Sequence, residues 1–284
     1  MNEQRIAIIT DSGTDTPADF IAQHDIRVIP LRINYSDGTA YESGVDISVE
    51  EVVRRFDTEI PTTSLPSPMK IHDTFEKARK DGYRAAVVVT ISSGLSATYE
   101  TVRMVARHIE DFPIVVIDTK SIGAAAGLIV MEAARQIEAG MPLESISSVL
   151  SAACERTRVY FSVQKLDFLR KGGRISEAVY RIGSMLNIKP ILTCNEQGTY
   201  VIEKKARGWK RAIETQIDLI AEQAARWQRT RVVICTYDPN LRKELETAIR
   251  ARIGNMVELI LSGISADLLV HTGPTLVGMA IEGL

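Results

Sequence analysis

The strongest constraint on the fold is a set of short apolar runs that do not alternate with polar residues. They lie at 6–10, 26–33, 85–90 and 114–118, are rich in Val and Ile, and read as strands. A strand without alternation is buried on both faces, as in a parallel sheet covered on each side by helices. Helical patterns fill the gaps. Ser48-Val49-Glu50-Glu51 has capping-box spacing, and Pro68 suits the first position of a helix that runs through Phe75 to Lys80 and stops at Gly82. Further helices are expected at 96–108 and at 122–139, the latter ending at Gly140. Strands alternating with helices predict an α/β fold with a mostly parallel N-terminal sheet.

The second half has a different pattern. A helix near 143–155 and a strand at 159–163 lead to a helical piece broken at Lys171-Gly172-Gly173-Arg174. Strands at 188–194 and 199–204 flank Asn195-Glu196-Gln197-Gly198, a hairpin turn sequence. A helix at 208–227, a strand at 231–237, a helix at 240–253 and a strand at 257–262 complete an α+β pattern. At 284 residues two domains are expected, 1–157 and 158–284.

Composition removes several function classes. Apolar residues make up 45% and charged residues 25%, with a net charge of -2, so no electrostatic feature recommends nucleic acid or an anionic membrane. No apolar run approaches the roughly 20 residues of a membrane span, and the N-terminus lacks the layout of a signal peptide. Cys154, Cys194 and Cys235 are odd in number and widely spaced, which argues against a disulfide framework or a metal site. The expectation is a cytoplasmic protein without cofactor or metal.

In an open parallel sheet, ligands bind beyond the carboxyl ends of the strands. Four hydroxyl-rich segments fall there: Asp11-Ser12-Gly13-Thr14, residues 61–68, residues 91–98, and Thr119-Lys120-Ser121. One such segment is ordinary capping and turn chemistry; four at one edge suggest a site. Two of them open helices, whose free N–H groups attract an anion. Neither a Walker loop nor a GxGxxG turn is present, and Lys120 is the one basic residue in these segments, so a carboxylate suits them better than a phosphate. His271, after an apolar stretch, could bond to the anion or to a serine, whereas His24, His72 and His108 read as surface residues. The competing reading is a serine hydrolase or acyl-transfer enzyme, with Ser93 or Ser96 as nucleophile, His271 as base and Asp11 or Asp118 as orienter. Against it, Ser92-Ser93-Gly94-Leu95-Ser96 is not a GxSxG elbow.

Five segments in order carry a family resemblance: Ile9-Thr10-Asp11-Ser12, Thr63-Ser64-Leu65-Pro66-Ser67, Ser92 through Tyr99, Leu169 through Ile175, and His271-Thr272-Gly273-Pro274. Together they resemble DegV, the bacterial fatty-acid-binding family, over essentially the whole chain. The resemblance implies two α/β domains with a long-chain fatty acid buried between or beneath them, in a cavity near their interface. It implies a carboxylate held at Thr63 and Ser96 with Ser93, Ser64 and His271 close by. It also implies a carrier, not an enzyme, that in some members presents the acid to a fatty acid kinase, with an exposed Arg174 helping that partner dock. Leu65 stands where the family usually has Gln, and Ala97 and Thr275 where Gly is common. Ile91, Leu95, Ile122, Leu128, Phe168, Leu169, Ile182, Met185, Leu186 and Leu276 are the expected cavity wall.

Overall fold

The computed structural model describes residues 2–183, 185 and 187–284. Leu186, one of the expected wall residues, lies outside them.

Four parallel strands form the first sheet in the order Arg27–Ile29, Ile6–Asp11, Ala85–Thr90, Ile114–Asp118. Every residue of Ile6–Asp11 and Ala85–Thr90 is buried, as their continuous apolar character requires. The expected strand at 26–33 is two. Pro30 has no N–H to give a ladder, so the chain turns between Arg27–Ile29 and Arg32–Asn34. Arg32–Asn34 then becomes the middle of a small antiparallel sheet, between Ala40–Glu42 and Thr62–Ser64.

The second sheet has six strands in the order Tyr200–Arg207, Ile188–Cys194, Thr157–Ser162, Val277–Gly283, Thr230–Thr236, Met256–Ser262. The hairpin turns at residues 195–198, where Gly198 donates its N–H to the Asn195 carbonyl at 2.8 Å. The strand Val277–Gly283, buried throughout, pairs antiparallel with Thr157–Ser162 and with Thr230–Thr236. The last strand of the chain is therefore interior to the sheet.

The expected helices form with small shifts at their ends: Val49–Arg55, Pro68–Lys80, Thr98–Ala106, Gly123–Glu138, Leu143–Glu155, Trp209–Ala224 and Pro239–Arg252. Ser48 accepts the predicted capping bond from Glu51, and ahead of Pro68 Ser67 accepts one from Lys70. Gly123–Glu138 is buried on nearly every side, because it packs against strands of both the four-stranded and the six-stranded sheets. A helix that is apolar all round needs cover all round, and the small residues Ala124, Ala125, Ala126 and Gly127 let both layers approach it. The fold is mixed α/β, with a parallel sheet flanked by helices and a second, larger sheet.

Candidate functional site

The carboxyl ends of Ile6–Asp11, Ala85–Thr90 and Ile114–Asp118 share one edge of the first sheet, and the small sheet and the helix Ala266–Thr272 close over it. Between them lies a cavity of about 380 Å³, within the range of small-molecule sites, about 300–1,000 Å³. Thr63, Ser64, Ser93, Ser96, Arg174 and His271 are all in its wall. Leu31, Leu65, Ile91, Leu95, Ile122 and Leu268 supply most of its apolar lining. Past Ile122, Tyr200 and Leu268 it adjoins a smaller inner chamber of about 40 Å³, bounded mainly by apolar side chains that include Val159, Phe161 and Leu276.

Thr63 is held on a strand, not in a loop. It pairs with Ile33 in the small sheet, and its hydroxyl lies 2.7 Å from His271 Nε2. His271 is in the last turn of Ala266–Thr272 and not in an isolated turn, so Leu268 and His271, three residues apart on the helix, both reach the cavity. Burial, with the positive charge of Arg174 adding to it, pushes the imidazole down to about 4, so the ring is neutral near pH 7. Its Nδ1 is sealed and has no partner among the described residues. The ring rests against Gly172, where an added Cβ would come within 2.1 Å of Nδ1.

On the opposite segment, Ser96 Oγ bonds Thr98 Oγ1 at 2.8 Å and accepts from the Thr98 N–H at 3.3 Å. Ser93 Oγ accepts from Lys120 Nζ at 2.8 Å, and Ser93 N–H donates to Asp118 Oδ1 at 3.1 Å. Burial raises the Asp118 carboxyl, but the bonds from Lys120 and Ser93 more than offset this and hold it below its usual value. The hairpin of the second sheet braces this segment: Ser92 Oγ donates to the Gly198 carbonyl at 2.9 Å, and a Cβ on Gly94 would sit 2.5 Å from the Gln197 carbonyl oxygen. Only glycine allows so close a backbone approach.

Arg174 departs from expectation. It is half-buried, not exposed, and its guanidinium turns into the cavity wall, donating to the Leu95 carbonyl at 3.3 Å and the Gly172 carbonyl at 2.5 Å.

The other hydroxyl-rich segments act one layer back. Ser12 donates to Asp267 Oδ2 and accepts from the Leu31 N–H at 2.9 Å. Thr119 and Ser121 bond within their own turn and to Thr90. Asp11 caps its own turn through Gly13 N–H at 3.0 Å and accepts from Ile91 N–H at 2.9 Å. Burial nevertheless pushes its carboxyl up to about 7, and does the same to Asp15. With Asp11 and Asp118 engaged in this way and Nδ1 unpartnered, neither carboxylate orients His271 as a triad requires.

Of the expected wall, Ile91, Leu95, Ile122 and Leu276 do face the two chambers. Leu128 and Leu169 are solid core with no exposure. Phe168 stacks edge-on with Phe56 at 5.0 Å, outside both chambers, which Ile182 does not line either, and Met185 is 63% exposed. Asp267, Leu268 and Tyr200 were not anticipated in the wall. The helix that carries the first two starts after Ser265, a cap-type residue at the end of an apolar stretch, and Tyr200 reads as an ordinary strand aromatic.

Fold and cavity define a class: an α/β protein enclosing an amphipathic pocket, polar at hydroxyl-bearing segments and apolar within. The chain belongs to the DegV family, whose model, described as an uncharacterised DegV family protein, matches residues 5–283. A DegV domain-containing protein of Clostridium acetobutylicum is 36% identical over 281 residues, 98% of this chain and 99% of its own. Among solved structures, the fatty-acid-binding DegV family protein from Thermus thermophilus superposes with a TM-score of 0.90 at 29% identity, covering 99% of this chain and 100% of that one. A stearic-acid-binding protein from Eubacterium ventriosum superposes at 0.86 with 25% identity, 98% of each chain being covered. Among the described residues no helix is long and apolar enough to cross a membrane.

Proposed function

We propose that this protein binds a long-chain fatty acid non-covalently, as a carrier and not as an enzyme. The observation that carries the reading is the convergence of Thr63, Ser64, Ser93, Ser96, His271 and Arg174 on one cavity that adjoins an apolar inner chamber. The Thermus and Eubacterium relatives, which bind fatty acids, support it. In this reading Thr63 and Ser96 donate to the carboxylate, Ser93 and Ser64 complete its shell, and Arg174 supplies the counter-charge. That last role replaces the partner-docking role expected of an exposed arginine.

Energetics allow this division of labour. Each buried methylene contributes about 0.8 kcal/mol, so a chain of about 15 methylenes gains about 12 kcal/mol before ordering costs. The tail supplies affinity. The head needs enough donors to avoid the several kcal/mol lost by an unsatisfied carboxylate. Residues 1–157 supply most of the head-group donors, while His271 and Arg174 come from 158–284, the half that covers the acyl chain. We place the protein in the cytoplasm, handing its acid to a fatty acid kinase that feeds phospholipid synthesis. The hydrolase alternative lacks a carboxylate on His271, which favours the carrier.

Solvent extraction of the purified protein followed by mass spectrometry tests the reading. A fatty acid near one equivalent is expected. An empty protein that cleaves an acyl ester, and loses that activity in Ser93→Ala or Ser96→Ala, would overturn it.

A further inference from the structure

The strand Val277–Gly283 is interior to the second sheet and buried throughout, yet its second residue is a glycine. Glycine inside a strand is destabilising relative to alanine, and it calls for a reason: a bulge, a crowded neighbour, or a ligand that comes close to the backbone. Gly278 shows neither of the first two. Its pairing is in unbroken register, with Phe161 on one side and Cys235 on the other. Its φ lies outside the left-handed region, and an added Cβ would meet nothing closer than Leu276 Cδ2 at 3.5 Å, an ordinary contact. The other buried glycines differ. Gly123, Gly198 and Gly273 have positive φ. At Gly13, Gly127 and Gly283 a Cβ would come within 3.2, 2.6 and 2.1 Å of a neighbour.

The open space beside Gly278 is the inner chamber. Residues directly opposite one another on antiparallel strands share a face of the sheet. Phe161 and Cys235 therefore flank the missing side chain, and all three residues are in the chamber wall. Gly123 and Ala124 bring the start of the helix Gly123–Glu138 into the same wall. The chamber adjoins the head-group cavity at Ile122 and Leu268, and none of Thr63, Ser64, Ser93, Ser96, Arg174 or His271 lines it. At about 40 Å³ it is small enough for one methyl group to change what it holds.

We propose that Gly278 is the length gauge of this site: the space of its missing side chain receives the last methylenes of the acyl chain, and the residue at this position sets the longest chain that binds at full affinity. The inference rests on the fatty-acid reading above and adds the residue that fixes chain-length preference. An acid whose carboxylate lies among the hydroxyls can bury its tail past Ile122 and Leu268 only as far as the chamber is open. Each methylene that finds a place there gains its transfer free energy, and one that meets a side chain must fold back or stay in water. A side chain at 278 would shorten the path without touching the head-group residues. Because the position is not crowded, a methyl group there would not strain the empty fold.

The test uses the full-length, delipidated protein and titration calorimetry with lauric, myristic, palmitic and stearic acids. Gly278→Ala should keep wild-type affinity for laurate. Its affinity for stearate relative to laurate should fall about fourfold for each methylene displaced. Gly278→Val, a larger side chain that suits a strand, should lower the ratio further. The ratio is taken within one preparation, so a reduced folded fraction does not alter it. The Tm of delipidated Gly278→Ala should equal or exceed that of wild type, which separates a filled chamber from a damaged fold. A length profile identical in wild type and Gly278→Ala overturns the inference. So does an equal loss at every length, and so does a lower Tm for the alanine variant, which would show the position to be crowded already. If wild type binds none of the four acids, the fatty-acid reading itself fails.

Discussion

Thr63 and His271, 208 residues apart in the chain, meet through a 2.7 Å hydrogen bond between Oγ1 and Nε2. The His271 ring is neutral and its Nδ1 is sealed without a partner. A buried N–H without an acceptor is rarer in proteins than an under-satisfied acceptor. We therefore assign the proton to Nε2, where it donates to Thr63 Oγ1. The hydroxyl hydrogen of Thr63 is then free to point into the cavity, and the pair behaves as a fixed donor toward an anion.

Thr63→Val removes this hydroxyl while keeping the side-chain shape. Palmitate affinity should fall tenfold to a hundredfold, the loss of a hydrogen bond to a charged group worth about 1.5–3 kcal/mol. Ser96→Ala should act in the same direction. Both residues are half-buried at a cavity wall, so thermal unfolding should move only slightly. Unchanged calorimetric affinity in both single variants and in the double variant would remove these residues from the head-group site.

Gly172→Ala probes the same pair from behind. The new Cβ would lie 2.1 Å from Nδ1, so the ring must shift and the bond to Thr63 must lengthen. Overpacking of this kind costs about 1–3 kcal/mol. Urea denaturation should show that loss, and palmitate affinity should fall along with it. A variant with wild-type affinity would show that the ring position does not matter to binding.

Arg174→Gln separates counter-charge from partner contact. If the guanidinium neutralises the head group, affinity for palmitate should fall about tenfold or more, while affinity for the neutral alcohol of the same length should change little. An equal effect on both ligands would point to loss of the loop contacts with Leu95 and Gly172.

Stability should depend on pH through Asp15. Burial raises its folded value to about 7 from 3.8, so the folded state holds a proton that the unfolded chain releases. That contribution is complete below the unfolded value and is lost as pH rises through about 7. Asp11 acts in the same sense. His271, lowered to about 4, acts oppositely and only below its unfolded value, as the folded ring resists protonation. Asp15→Asn mimics the protonated acid. Its stability relative to wild type should therefore increase from pH 5 to pH 8 in urea denaturation, and a difference independent of pH would contradict the assignment.

Much of the fold was legible along the chain because periodicity and capping are local. The runs at 85–90 and 114–118, the cap at Ser48, the helix start at Pro68 and the hairpin turn at 195–198 each declare themselves within a few residues. The hydroxyl-bearing segment at 91–98 was visible for the same reason, as position after a strand predicts which edge a segment occupies, whereas 61–68, read as a loop before a helix, supplies the strand Thr62–Ser64 of the small sheet.

What the sequence by itself determined was most of the helices, the parallel first sheet and five of the polar residues in the cavity wall, Thr63, Ser64, Ser93, Ser96 and His271. Tertiary structure alone decided what each buried face packs against. Pro30 divides an apolar run between two sheets, Val277–Gly283 is buried inside the second, Arg174 turns inward to reach the Leu95 carbonyl, and Tyr200 lines both chambers. A residue's hydropathy records that it leaves water but carries no information about its partner. That partner can lie hundreds of residues away, and only the packing of layers brings the two together.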